Sequence, residues 1–259
     1  MAKAESSVDY GMLIGKCCKT LRLSSNLVKR ATEDGTPVNL DFLLHLLQNE
    51  VEYRKNARVT KYLNAAGFPR RYLFEQFRQD EVQFPTDLTL ADLKELKFIQ
   101  AGKNIVMYGG TGTGKTMLSI CIGIEACKHG ISVRFYRTAA LLNLLSECKA
   151  NGTLSALYKK LSKVDILILD EFGYVPYDRT GAQLLFDYLS DIEGKKNIIL
   201  NTNLEFSRWV NVLYDEQMTA ALIGRLIHDC HLILFPGENN RIRESSINSM
   251  YSKIPDAQN

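Results

Sequence analysis

The sequence predicts an α/β protein, a parallel sheet between helices with a small α-helical segment in front of it. Apolar runs at 105–108, 133–136, 164–169, 197–200 and 231–235 alternate with stretches of helical pattern. Strands that alternate with helices pair in parallel and are covered on both faces. Two junctions set this sheet apart from a generic one. The first run opens at once into a glycine-rich turn, and the third ends in two adjacent carboxylates, Asp170 and Glu171.

Composition sets the outer limits. At 259 residues, 46% hydrophobic and 24% charged, the chain has apolar content for one domain of about 150–200 residues and a smaller one. Ala65-Ala66-Gly67-Phe68-Pro69 breaks the helical pattern, which divides the chain into a helical domain at 1–66 and a larger one at 67–259. No run approaches the roughly 18 apolar residues of a membrane span, and the first residues lack the apolar stretch of a secretory segment, so neither is expected. Cys17, Cys18, Cys121, Cys127, Cys148 and Cys230 have neither Cys-x-x-Cys nor zinc-ligand spacing. Free thiols in a reducing cytoplasm are expected.

In the front segment, residues 8–23 read as a first helix, with Met12, Leu13, Ile14 and Cys17 apolar and Lys16, Lys19 and Arg22 outward. Glu33-Asp34-Gly35-Thr36-Pro37 is a turn, and Asn39 is expected to cap the next helix. Phe42-Leu-Leu-His-Leu-Leu47 supplies its apolar face, with His45 packed within it. The same helix continues through 50–62. There Arg54, Lys55, Arg58 and Lys61 occupy i, i+1, i+4 and i+7 and lie along one side. Residues 1–78 hold 13 Lys and Arg against 8 Asp and Glu, while the rest holds 19 against 21. Such a stripe is either a solvated face or a contact to DNA phosphates. Short helices at 70–77 and 89–100 lead to the first strand.

That strand runs into Gly109, Gly110, Thr111, Gly112, Thr113, Gly114, Lys115 and Thr116, a glycine, four residues, then Gly-Lys-Thr. The pattern is that of a phosphate-binding loop. Glycines let backbone N–H groups turn toward a polyphosphate, and the helix beginning near Gly114 aims its positive end at the same anion. Lys115 is placed to reach the β- and γ-phosphates of ATP, and the Thr116 hydroxyl to ligate Mg²⁺. An ordinary chain of this length matches the pattern by chance about once in a hundred. The flanking strand and helix lower those odds further.

Downstream, Thr138 is expected to cap a helix at 139–149, and a shorter helix follows at 154–161. Asp170 is the expected holder of the Mg²⁺ shell, and Glu171 the group that activates water. A helix at 177–192 leads to a strand that runs into Asn201-Thr202-Asn203. Asn203, with Thr202 second, is the candidate to touch the γ-phosphate. Arg225 interrupts an apolar helix and is either structural or a finger that completes a neighbouring subunit's site. Arg241 and Arg243 form a weaker basic pair after the last strand.

These residues resemble a family in their order: Asn104-Ile-Val-Met-Tyr-Gly109 with its loop, Asp170-Glu-Phe-Gly-Tyr174, Asn203-Leu-Glu-Phe-Ser-Arg-Trp209, Arg225-Leu226 and Gly237-Glu238 with Arg241. They look like the IstB family of transposition helper ATPases, related to the DnaC and DnaI helicase loaders within the AAA+ superfamily. The likeness runs from about Gly67 to Arg243. It implies a P-loop AAA+ ATPase core with no separate lid domain, ATP-dependent self-assembly on double-stranded DNA, and recruitment and stimulation of a partner transposase. A helicase loader with the same motor and an ATP-locked DNA scaffold that does not turn over are the rival readings. Gly224 and Asn239-Asn240 depart from the family's pattern beside Arg225 and Arg241.

Overall fold

The computed structural model describes residues 9–174 and 178–239. The chain divides into two compact units, residues up to 61 and residues from 62 onward.

The first unit is helical. Helix α1, Tyr10–Leu21, starts where the Asp9 side chain accepts the Met12 N–H and ends at Arg22 in a left-handed conformation. A second helix absent from the sequence reading, α2 (Ser25–Asp34), starts at the Ser24 hydroxyl. Helix α3 runs from Pro37 to Ala66. The Thr36 hydroxyl, and not the Asn39 side chain, serves its first turn by accepting the Asn39 N–H at 3.4 Å. Ile14, Cys18, Leu21, Leu44 and Leu47 form this unit's core. The expected apolar face of α3 is therefore divided. Leu44 and Leu47 turn inward, while Phe42 is 70% exposed and Leu46 is exposed too. His45 is exposed and not packed.

After the last turn of α3, the second unit has a 3-10 turn at Phe74–Gln76 in place of the longer helix expected there. The expected helix at 89–100 is split into α4 (Leu90–Lys94) and α5 (Lys97–Gln100) by Leu96, whose φ is 58°. Then come β1 (Asn104–Gly109), α6 (Lys115–Lys128), β2 (Val133–Arg137), α7 (Thr138–Ala150), α8 (Leu154–Leu161) and β3 (Ile166–Phe172). They are followed by α9 (Arg179–Ile192), β4 (Asn197–Thr202), α10 (Val210–Leu213), α11 (Glu216–His228) and β5 (Cys230–Phe235). The five strands lie in the order β2-β3-β4-β1-β5, and every neighbouring pair is parallel.

Alternation along the strands fills two cores. Ile105, Met107, Ile168, Ile199 and Ile233 pack with α6 on one face. Val106, Leu167, Leu169 and Leu200 pack with α7, α9 and α11 on the other. Because all strands run the same way, Gly109, Asp170, Glu171 and Thr202 end at one edge of the sheet. That edge carries the site.

Candidate nucleotide-binding site

The loop is built by close backbone approach. Gly112 has φ 79°, and a Cβ there would collide with the Asn239 carboxamide. Gly114 has φ 108° and opens α6 with no side-chain cap, leaving the first-turn N–H groups and the helix dipole aimed into the loop. The Thr113 hydroxyl donates to the Gly110 carbonyl at 2.9 Å. Lys115 folds back over the loop, donating from Nζ to the carbonyls of Gly109 at 2.8 Å and Gly110 at 2.6 Å. Behind the loop, burial pushes the Cys121 thiol up to about 12 and the Cys127 thiol up to about 11. Both stay protonated, and all six cysteines are free.

Opposite the loop, β3 carries a bulge. Leu169 pairs with Leu200 and Phe172 with Thr202, so that Asp170 and Glu171 together face Asn201 alone. A bulge inserts one residue and re-aims the side chains around it. Here Asp170 turns inward and is 4% exposed, while Glu171 takes φ 57° and faces out. A left-handed residue with a Cβ costs about 1–2 kcal/mol. Leu169 and Phe172 on either side are fully buried, and each such side chain contributes about 1.5–3 kcal/mol. Packing therefore holds the bulge in place.

The bulge brings Asp170 to α6. The Thr116 hydroxyl lies 3.0 and 3.1 Å from the two Asp170 carboxylate oxygens. Three further residues, none expected at the site from the sequence, complete this cluster. The Thr138 hydroxyl donates to the Asp170 carbonyl at 2.9 Å; it ties β2 to β3 and does not cap α7, which lacks a side-chain cap. Asn201 donates to Asp170. Arg137, opposite Asp170 in the register of β2, reaches Glu171 at 3.6 Å. A polar residue inside an apolar strand was the available signal for Asn201. Arg137 carried none.

The remaining expected residues lie apart. Asn203 is exposed, one residue beyond the Tyr108–Thr202 pair at the loop edge. Thr202 is buried, and its hydroxyl serves the turn, donating to the Phe172 carbonyl and accepting the Leu204 N–H. Arg225 is bound within its own chain, to Ser190 at 2.8 Å and Glu193 at 3.0 Å, and lies over Phe186. These groups sit near the ends of α9 and α11, toward the edge where β4 and β5 begin. The structure does not bring Arg225 to its own chain's loop. Arg54, Lys55, Arg58 and Lys61 are exposed on α3, but Arg54 also donates to Glu50 at 2.7 Å and to the Leu21 carbonyl at 3.2 Å. Arg241, Arg243, Tyr177 and the stretch bearing on a lid domain lie outside the described residues.

A parallel sheet in this order, with a phosphate loop after β1 and an acidic pair near the end of β3, makes a P-loop nucleotide-binding fold of the AAA+ type. DnaA from Aquifex aeolicus, bound to AMPPCP, shares the fold at TM-score 0.53 and 20% identity, over 74% of this chain and 62% of DnaA. The chain thus spans under two thirds of that protein's length. Residues 20–248 match the model of the IstB-like ATP binding proteins, and the chain belongs to that family. Among its relatives are the putative ATP-binding protein of insertion sequence IS232 from Bacillus thuringiensis subsp. berliner, 29% identical over 79% of this chain and 82% of the relative. That of IS21 from Pseudomonas aeruginosa is 31% identical over 79% and 77%. A putative insertion-sequence ATP-binding protein of Sinorhizobium fredii is 29% identical over 95% and 84%.

Proposed function

We propose that the chain is a DNA-binding ATPase that assembles with its own copies on double-stranded DNA in the presence of ATP and Mg²⁺, and recruits and stimulates an insertion-sequence transposase. The hydrolytic part rests on the Thr116–Asp170 contact beneath the loop, with Glu171 turned outward beside it. A hydroxyl and a carboxylate are hard oxygen donors of the kind that suit Mg²⁺. They are the residues that would hold it. Mg²⁺ held there would supply positive charge that offsets the negative charge of the phosphates.

The chain's own groups do the rest. Lys115 exchanges carbonyl partners for phosphate oxygens, a favourable trade because the ammonium then meets an anion and gains the attraction of opposite charges that a neutral carbonyl does not supply. Glu171 takes a proton from water as the water oxygen attacks the γ-phosphorus. The bond from that phosphorus to the bridging oxygen breaks, releasing ADP and phosphate. Asn203 contacts the γ-phosphate from the end of β4. Arg225 acts on the loop of a neighbouring copy, and the basic side of α3 meets DNA phosphates. Family membership and the insertion-sequence origin of the relatives support the transposition role.

Two variants test the hydrolytic reading. Glu171→Gln should bind ATP and lose turnover, whereas Lys115→Ala should lose binding itself. Near-wild-type phosphate release from Glu171→Gln would remove Glu171 as the base. A wild-type chain that binds ATP without turnover would instead support the scaffold reading.

A further inference from the structure

The Thr116–Asp170 contact belongs to a polar ring whose other two members, Asn201 and Ser119, the hydrolytic reading does not use. Asn201, the penultimate residue of β4, is 1% exposed. Its Nδ2 donates to Asp170 Oδ1 and to Ser119 Oγ, each at 2.9 Å. Ser119 in turn donates to the Thr116 carbonyl at 3.0 Å, and the Thr116 hydroxyl closes the ring on Asp170. One carboxamide thus joins the first turns of α6 to the bulge of β3. Among the described residues its own Oδ1 meets no partner.

That orphan oxygen indicates what the residue is for. An amide is oriented by its partners. Turning this one over would set Oδ1 against the Asp170 carboxylate, acceptor to acceptor. The donor must face Asp170, and the carbonyl is then left buried and unpaired, which costs stability. An apolar side chain of the same volume would remove that cost. A polar residue that leaves its oxygen unpaired in the core, while its donor group holds Ser119 and the Asp170 carboxylate, is doing something other than stabilising the sheet. Asn203, exposed beyond the strand, is not part of this ring.

We infer that Asn201 is a positioning residue for the divalent cation bound with nucleotide: it fixes the Asp170 carboxylate against Thr116 so that both oxygen donors meet the cation together. This rests on the ATP- and Mg²⁺-binding reading above. Asn201 is buried behind Asp170 and bonded to it, so its effect runs through Asp170 and is read in cation affinity. Binding of nucleotide without the cation depends on the backbone N–H groups of the loop and on Lys115, none of which bonds to Asn201.

The test compares the wild-type chain with Asn201→Leu, which keeps the branched shape and the number of heavy atoms and removes the donor. A fluorescent ATP analogue is titrated in EDTA, and Mn²⁺ is titrated against the nucleotide-bound protein by electron paramagnetic resonance. The expected result is unchanged affinity in EDTA and about tenfold weaker Mn²⁺ binding, the scale of one hydrogen bond to a charged group, with a matching rise in the Mg²⁺ needed for half-maximal turnover. Ser119→Ala, which loosens the amide but leaves it on Asp170, should shift Mn²⁺ in the same direction by about threefold. A folded Asn201→Leu protein with wild-type Mn²⁺ affinity overturns the inference. Should that variant fail to fold, unchanged Mn²⁺ affinity in Ser119→Ala overturns it equally. A wild type that binds neither ATP nor Mn²⁺ with ATP sinks the ATPase reading first, and this inference with it.

Discussion

The Arg137 guanidinium lies 3.6 Å from the Glu171 carboxylate, joining the ends of β2 and β3 across the outside of the bulge. Both side chains are well exposed, 63% and 48%, so the pair is screened and contributes at most about 1 kcal/mol. It is strong enough to bias where the carboxylate points and too weak to lock it there. In the proposed reaction Glu171 must leave this partner to accept a proton from water.

The first prediction follows from that weakness. Arg137→Gln should raise basal ATP turnover by no more than about fivefold, the rate equivalent of about 1 kcal/mol, with little change in melting temperature. Steady-state phosphate release measures it. A fall of tenfold or more would mean that Arg137 assists the reaction directly and is not a restraint.

Arg225 supports a second prediction. Its bonds to Ser190 and Glu193 lie away from its own loop, so any phosphate it meets belongs to another copy. Arg225→Ala should bind ATP yet hydrolyse it poorly, since a finger supplied in trans is worth about 10³–10⁵ in other phosphoryl-transfer systems. Mixed with Lys115→Ala, it should regain activity at hybrid interfaces. If Arg225 only fastens α11 to α9, the variant should lose melting temperature and no mixing ratio should restore turnover.

How much of this was legible in the sequence depends on the range over which each signal acts. The loop was readable because its glycines, lysine and threonine are contiguous, and the parallel sheet followed from alternation and apolar runs. The bulge at Asp170–Glu171 was not, because a register shift is a property of two strands and β4 lies some thirty residues away in the chain. Thr138 was misread for the same reason. A threonine ahead of a helical pattern looks like a cap, but its hydroxyl is claimed by a carbonyl on the neighbouring strand. On α3 the sequence showed one apolar face, while packing against α1 and α2 used Leu44 and Leu47 and left Phe42 outside.

A third prediction concerns acid stability. His231 is buried at the start of β5. Burial, and then the Lys103 charge, hold its pKa below the ordinary 6.5, with Asp87 pulling the other way. The folded protein thus takes up this proton less readily than the unfolded chain. The stability contributed by neutral His231 is full above about pH 6.5 and is lost as pH falls below it. Asp87, held below 3.8 chiefly by its bond from Lys103, adds a loss in the same direction at lower pH. Melting temperature should therefore drop between pH 7.5 and 5.5, and His231→Gln should flatten that drop. An unchanged slope in the variant would assign the acid sensitivity to other groups.

The last prediction divides the basic side of α3. Arg54 spends its guanidinium inside the first unit, on Glu50 and on the carbonyl of Leu21, the last residue of α1. Carbonyls at a helix end need such a partner, and Arg54→Ala should lower the melting temperature. Lys55, Arg58 and Lys61 are exposed and have the reach to meet phosphates. Removing one cation from a DNA phosphate should flatten the log–log salt dependence of binding by about 0.9. Replacing Lys55, Arg58 and Lys61 with Ala should then reduce that slope by about 2–3. Affinity for unrelated duplexes should fall alike, since phosphate contacts carry no sequence information. ATP turnover without DNA should stay near wild type, because these residues lie outside the nucleotide site. Fluorescence anisotropy between 50 and 200 mM salt, a range over which a slope change of about 2–3 alters relative affinity by more than about tenfold, would separate the cases. A folded triple variant with wild-type affinity and slope would make this stripe a solvated face, and the DNA-binding surface would have to be sought elsewhere on the chain.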